Sequence, residues 1–337
     1  MLVPFVIDAE SLVPDGAWTA AQQVACHKGL LDTWQRIGIL VHDGQALQGS
    51  RIKEAIDALP QKLRPLWQEL LERLPMMPGE PQWDGIICNN NGCLDILSAS
   101  AKLAFLDDAK AEVEFGLDEG ELCRVLGSHP SLEICRLLAA AQAKTFSQAL
   151  NVAGQHIPAG QTFSELWHTR FELLAKAPIK QVAIVDRYAI SQHYECPQNK
   201  LSGLERFLRL LDTDASGKRY VTLYAAWTPE LNQRKVALED VQAEVKTIIG
   251  HLPRHVTKRV KVVMLPNGAF GSLHHDRFVR FGEYVWDIGL GLKVFEGAFT
   301  AETSTASFKA GLQVVTYKSA EEKLSTDARA RTIEAVG

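Results

Sequence analysis

The 337-residue sequence has little cysteine, six residues at 26, 88, 93, 123, 135 and 196. They are too few and too scattered for a disulfide framework, so the expectation is reduced thiols in a cytosol. No run of about 18 apolar residues occurs, and no membrane span is expected. No repeat at a solenoid period and no low-complexity tract is present, which excludes repeat arrays and fibrous chains. Strong net charge is missing too: 36 Lys and Arg against 40 Asp and Glu leave −4. That excludes a chain built throughout as a polycation for nucleic acid, although a local patch remains open. The apolar start, Met1-Leu-Val-Pro-Phe-Val-Ile-Asp8, lacks a basic region and reads as a first strand, not a signal peptide.

What is present is a globular composition, 46% apolar and 23% charged, at a length that predicts about two domains. Residues 1–178 are mainly helical in character. Leu30, Leu31, Trp34 and Ile37 recur at helical spacing, as do Ile52, Ala55, Ile56 and Leu59, and then Leu66, Leu70 and Leu74. From about residue 180 the pattern alternates. Val182–Val185, Tyr220–Trp227 and Val260–Leu265 are apolar strand runs. Leu201–Leu211 and Pro229–Leu252 read as helices, the second with Pro where a helix start tolerates it. This order predicts an α/β fold with a mainly parallel sheet over 180–297. The predicted domains are 1–178, mainly helical with a first strand at 3–8, and 179–337, with the boundary at Ala177-Pro178.

Charge is uneven along the chain. Asp107 to Glu121 holds seven acids and one lysine, which reads as a solvated face. Val245 to His275 holds no acid, five Lys or Arg, and four His. That basic stretch leads through the loop Pro266–Ser272 to His275-Asp-Arg277 and a predicted hairpin. The hairpin turns at Gly282-Glu283 and ends in Gly289-Leu290-Gly291. On a strand His275 and Arg277 share a face. A guanidinium there can hold a phosphate bidentately, and an imidazole beside it can attack phosphorus or carry a proton.

In these residues the sequence resembles the phospholipase D superfamily of phosphodiesterases, over about residues 180–297. The resemblance implies an α/β sheet with flanking helices in the C-terminal domain. It implies His275 as the residue that forms a phosphohistidine and Arg277 in place of the family's lysine. Gly289, Leu290 and Gly291 then stand for the Gly-Ser end of the hairpin, with Gly289 and Gly291 among the expected phosphate-binding residues. Lys258 and Arg259 are further candidate phosphate contacts from the basic stretch. The family completes each site from two motifs, and this chain has one on a strand. His168-Thr169-Arg170 fits the letters but lies in a helical pattern. A catalytic form would therefore be a homo-oligomer, at least a dimer. This reading assigns no metal and no cofactor. Its partners are nucleic acid or another phosphodiester, cytoplasmic, with a bacterial defence or mobile-element setting by analogy. The alternative is a non-catalytic module with a degenerate fold that binds a protein partner.

A third reading starts from Phe5-Val-Ile-Asp8-Ala-Glu10, an apolar strand ending in two acids. Clustered carboxylates at a strand end suit a hard divalent ion. The stretch resembles the opening of PIN-type metal nucleases, with Asp43 or Asp95 as the expected third acid. Cys88, Cys93, Cys123, His129 and Cys135 could in principle supply a zinc site, although their spacing is wider than in zinc pairs.

Overall fold

Short runs build the first sheet, and its inner strands are buried on both faces. The computed structural model describes residues 1–13, 18–42, 50–79, 91–127, 131–197, 199–227, 230–231, 234–273 and 277–336. The chain forms two units, Met1–Val152 and Ala153–Gly337. The first contains strands β1 (Val3–Ile7), β2 (Gly38–His42), β3 (Met76–Pro78), β4 (Leu103–Leu106), β5 (Cys123–Leu126) and β6 (Leu132–Arg136). Its helices are α1 (Ala20–Ile37), α2 (Arg51–Ala58), α3 (Arg64–Arg73), α4 (Asn91–Ser100), α5 (Asp108–Val113) and α6 (Lys144–Ala153). The sheet order is β3-β2-β1-β4-β6-β5, with β5 antiparallel and all other pairs parallel.

β1 coincides with the expected first strand at 3–8 and helices still cover more of this unit than strands, but the expected helical domain also carries a six-stranded sheet. The strands are only three to five residues long, and β1, β4 and β6 are buried at every position. Such strands show no polar alternation, so helical periodicity dominates the sequence around them. Phe5 holds the centre of this unit, edge-on to Trp34, Phe105 and Phe146. Cys123 and Cys135 face each other across β5 and β6 and form a disulfide, which corrects the reading of them as reduced thiols. Twelve residues apart in sequence, they are brought into register by the antiparallel pairing.

The second unit contains α7 (Phe163–Arg170), α8 (Glu172–Lys176), β7 (Gln181–Asp186), α9 (Ala189–Glu195), α10 (Gly203–Asp214), β8 (Arg219–Ala226), β9 (Glu230–Leu231), β10 (Arg234–Lys235) and α11 (Leu238–Gly250). It continues through β11 (Thr257–Leu265), β12 (Arg277–Phe281), β13 (Tyr284–Ile288), β14 (Ala306–Ala310), α12 (Val315–Thr326) and β15 (Arg331–Val336). Seven strands order as β14-β13-β12-β7-β8-β11-β15. The predicted mainly parallel sheet is mixed. Only β7, β8 and β11 run parallel, and the hairpin side and β15 pair antiparallel. The predicted helix over 229–252 begins at Leu238, after the small ribbon of β9 and β10. There the Asp240 carboxylate accepts the Ala237 N–H at 2.9 Å and starts the helix.

The predicted boundary at Ala177-Pro178 differs from the division after Val152. Helices α7 and α8 belong to the second unit because Trp167 and Phe171 pack on Phe207 and Phe295. The opposite sheet face packs Val185, Tyr224, Val263 and Phe278 against Tyr317, Ala320 and Leu324 of α12. Among the described residues no helix is long and apolar enough to cross a membrane.

Asp212, fully buried at the end of α10, accepts the backbone N–H groups of Arg254, Val256 and Thr257 at 2.6 to 2.8 Å. It thereby fixes the start of β11. Asp212→Ala leaves three donors without an acceptor and is expected to cost roughly 3 kcal/mol. A thermal melt should show a fall of roughly 10 °C. An unchanged melt contradicts this role.

Candidate functional site

The chain runs outward from β1 through β2 to β3 and then returns to the other side of β1 for β4. Connections from β1 and β4 therefore leave in opposite directions, and the crevice at their carboxyl ends is where open α/β sheets place ligands. An acid follows each strand there. Asp8 follows β1, and its N–H donates to Phe105 O at 2.8 Å. Asp107 follows β4 and caps α5, accepting the Lys110 N–H at 3.2 Å. Glu10 lies in the turn after Asp8. Carboxylate oxygens of Asp8, Glu10 and Asp107 all lie within 4.8 Å of one another.

Lys110 stands among these acids. Its Nζ donates to Asp8 Oδ2 at 2.7 Å, lies 3.3 Å from Asp107 Oδ2, and also donates to Glu10. Arg51, at the start of α2, donates to the other oxygen of Glu10. Three carboxylates against two cations leave one negative charge. Asp8 is 5% exposed, and burial pushes its carboxyl up to about 6 against the pull of Lys110. Burial acts on Asp107 in the same direction, but its hydrogen bonds with Asp8 and Lys110 outweigh that and hold it below the usual range. The tie between the two acids thus moves them apart, Asp8 up and Asp107 down. The Lys110 hydrogen bond draws Glu10 down.

The turn carrying Glu10 is tied from behind. Trp67 Nε1–H donates to His27 Nδ1 at 3.1 Å, which leaves His27 Nε2–H to donate to Leu12 O at 3.1 Å. Burial pushes His27 down to about 4, so the ring stays neutral and this tautomer is held. In front of the acids lies a cavity of about 600 Å³. Glu10, Asp107, Asp108, Arg51 and Glu54 supply its charged wall; Val13, Trp18, Ala55 and Leu137 supply the apolar one.

In the second unit, His275 lies outside the described residues. Arg277 opens β12 opposite Asp186, the last residue of β7. Its guanidinium carbon is 5.2 Å from the centre of the Tyr188 ring, and that of Arg187 is 4.5 Å from the same centre. Buried Asp186 accepts the N–H groups of Tyr188 at 3.0 Å and Leu292 at 2.7 Å, joining β7 to the segment after β13. Gly291 has φ +58°, and a Cβ there would lie 2.2 Å from Asp186 Oδ2. A Cβ on Gly289 would lie 2.2 Å from Thr305 Oγ1. The space beside both predicted phosphate-binding glycines is thus filled by their neighbours.

Lys258 and Arg259 stand at the other end of the sheet. Arg259 is level with Tyr220, whereas Phe278, next to Arg277, is level with Val185 and hence with Tyr224. Arg277 lies one residue beyond Phe278, so at ~3.3 Å per residue it is roughly 16 Å along the strands from Arg259. Arg259 lies 4.0 Å from Glu334 and stacks near Tyr220. The structure therefore groups Arg277 with Asp186, Arg187 and Tyr188 and does not bring Lys258 and Arg259 to it.

Of the expected third acids, Asp43 lies outside the described residues, and Asp95 is exposed on α4, apart from the cluster. Asp107 takes that place. It belongs to the stretch read as a solvated face, most of which is an ion-pair network: Asp108 and Glu112 hold Arg136, and Asp118 and Glu121 hold Arg124. The available signal was Leu103-Ala-Phe-Leu106-Asp107, the same apolar run ending in Asp as Phe5-Val-Ile-Asp8. Of the zinc candidates, Cys88, His129 and the Cys93 side chain lie outside the described residues. No protein-family model matches the chain, and no curated protein matches it.

Lys110→Met removes the ammonium and leaves three facing carboxylates, at an expected cost of roughly 3 kcal/mol at pH 8. The folded-state carboxyl pKa values then rise. The folded chain takes up protons before the unfolded one as pH falls from 7 to 4, so stability increases over that window. Urea titrations of both proteins at pH 8 and pH 5 should show the gap narrowing at pH 5. A gap that widens with acid is the contrary result.

Proposed function

We propose that the protein is a divalent-ion-dependent phosphodiesterase that cuts nucleic acid at the Asp8, Glu10 and Asp107 cluster. One observation carries this reading: two strand-end carboxylates meet at the switch point of a parallel sheet, beside a cavity. The donor set is all carboxylate oxygen, which suits a hard ion, and Lys110 already stands among these oxygens as a cation. Asp8, Glu10 and Asp107 would hold the ion. Bound there, it would polarise a phosphodiester and activate a water. Arg51 offers a guanidinium to a neighbouring phosphate oxygen. Lys110, released from the acids, supplies a positive charge near the departing oxygen. The resemblance to PIN-type metal nucleases supports the same reading.

A second reading is supported by the Arg187, Tyr188 and Arg277 group at the end of the central strand β7, beside the β12–β13 hairpin. There a phospholipase-D-like domain would engage phosphate through Arg277, and turnover would need His275 and a second copy of the chain. Under that reading Arg277→Ala weakens polyanion binding and flattens its salt dependence. Lys258→Ala, at the far end of the sheet, acts independently of it.

Cleavage of single- and double-stranded DNA and RNA decides between them. With Mg²⁺ or Mn²⁺, Asp8→Asn and Asp107→Asn should each lose at least about a hundredfold in rate, chelator should abolish activity, and His275→Ala should retain it. Activity that survives chelator and is lost in His275→Ala overturns the metal reading and supports the second.

Asp8 also sets a pH dependence. A proton and a divalent ion compete for a carboxyl whose pKa is about 6. Ion affinity measured by calorimetry should fall up to about tenfold per pH unit below that value and level off above it. Affinity that is flat from pH 5 to 8 removes Asp8 from the ligand set.

A further inference from the structure

The cavity beside the carboxylates has a wall that ion chemistry does not use. Trp18, Val13 and Leu137 line it together with Glu10, Asp107 and Arg51. Val13 is 48% exposed, a large apolar side chain left open to solvent in the lining. Trp18 differs from the other indoles of its unit that the structure describes. Trp34 and Trp67 are fully buried in the core, whereas Trp18 is half-buried and forms part of the cavity wall. An indole with one part packed and one part open offers a planar apolar surface at little entropic cost.

We infer that this cavity is a nucleobase subsite, in which a base next to the scissile phosphate stacks on Trp18. The inference rests on the proposed phosphodiesterase site and names its substrate as an unpaired strand. Four observations converge on it. The volume of about 600 Å³ lies within the range of small-ligand pockets. One wall is aromatic and apolar, as a base face requires. The same lining holds the Glu10 and Asp107 carboxylates for an ion and the Arg51 guanidinium for a phosphate. Phosphate and base are joined in one nucleotide, so a ligand with an anionic end and a flat apolar end matches both sets of residues at once. A base paired within a duplex keeps both faces in the stack, so the strand must be single or locally opened.

The test uses the full chain and fluorescein-labelled ten-nucleotide strands: oligothymidylate as DNA, oligouridylate as RNA, and a fully abasic strand of equal length. Binding is read by fluorescence anisotropy in Ca²⁺. Cleavage is read separately in Mg²⁺ and Mn²⁺. Wild type should bind the base-bearing strands at least about fivefold tighter than the abasic strand, because stacking on one aromatic ring is worth that much or more. Trp18→Leu keeps apolar volume and removes the ring, so it should bind all strands with the affinity wild type shows for the abasic one. Trp18→Phe should keep most of the preference. Melting curves check that each variant is folded, and the abasic strand serves as the internal control for any general weakening.

Equal wild-type affinity for base-bearing and abasic strands overturns the inference. So does a Trp18→Leu protein that retains the preference, or an absence of binding to every strand. If the preference depends on Trp18 and no cleavage follows in Mg²⁺ or Mn²⁺, the subsite stands and the hydrolytic reading falls. If cleavage depends on Asp8 while Trp18→Leu leaves binding unchanged, the subsite falls and the hydrolytic reading stands.

Discussion

Burying a carboxylate at the end of a strand requires something to answer its charge, and the first unit is organised around that requirement at Asp8. Isolated, a carboxylate with so little exposure would be expensive to ionise. The response is Lys110, delivered from α5 so that one ammonium reaches Asp8, Asp107 and Glu10. Position follows from topology. β1 and β4 are neighbours, so their terminal acids meet, and α5 starts directly after Asp107 and brings Lys110 back over both. The Ala9–Leu12 turn, held by the neutral His27 and Trp67 pair, places Glu10 at the same point.

The second unit buries an acid at a comparable place. Asp186 also ends a central parallel strand, and backbone N–H groups of Tyr188 and Leu292 are among its donors, joining β7 to the segment after β13. A Cβ on Gly291 would meet this carboxylate, so the position requires glycine. Asp8 is held chiefly by the flexible Lys110 side chain.

Much of the second unit was legible in sequence. The runs at 182–185, 220–227 and 260–265, the helix 201–211 and the Gly282-Glu283 hairpin turn each carry strong local signals. Strand direction was not legible, because an apolar run reads the same whether its neighbour is parallel or antiparallel. In the first unit the helices could be read, but the sheet could not. Strands of three to five residues buried on both faces show no alternation. The pairing of Cys123 with Cys135 depends on which strands meet, and their spacing of twelve says nothing about that.

The site shows the same division. Sequence by itself determined that Asp8 and Glu10 end an apolar strand, that Arg277 opens a hairpin, and that Trp18 is one of few aromatics near the N-terminus. It also set which residues are acids, bases and indoles, and so which chemistry is available. Tertiary structure decided which of them share a place. Asp107 and Lys110 lie about a hundred residues from Asp8 and reach it only because β4 inserts beside β1. Lys258 and Arg259, close to Arg277 in sequence, lie at the opposite end of the strands because β11 and β12 run in opposite directions. Chain order fixes the side chains, but strand order and direction fix the distances between them, and charge interactions depend on distance.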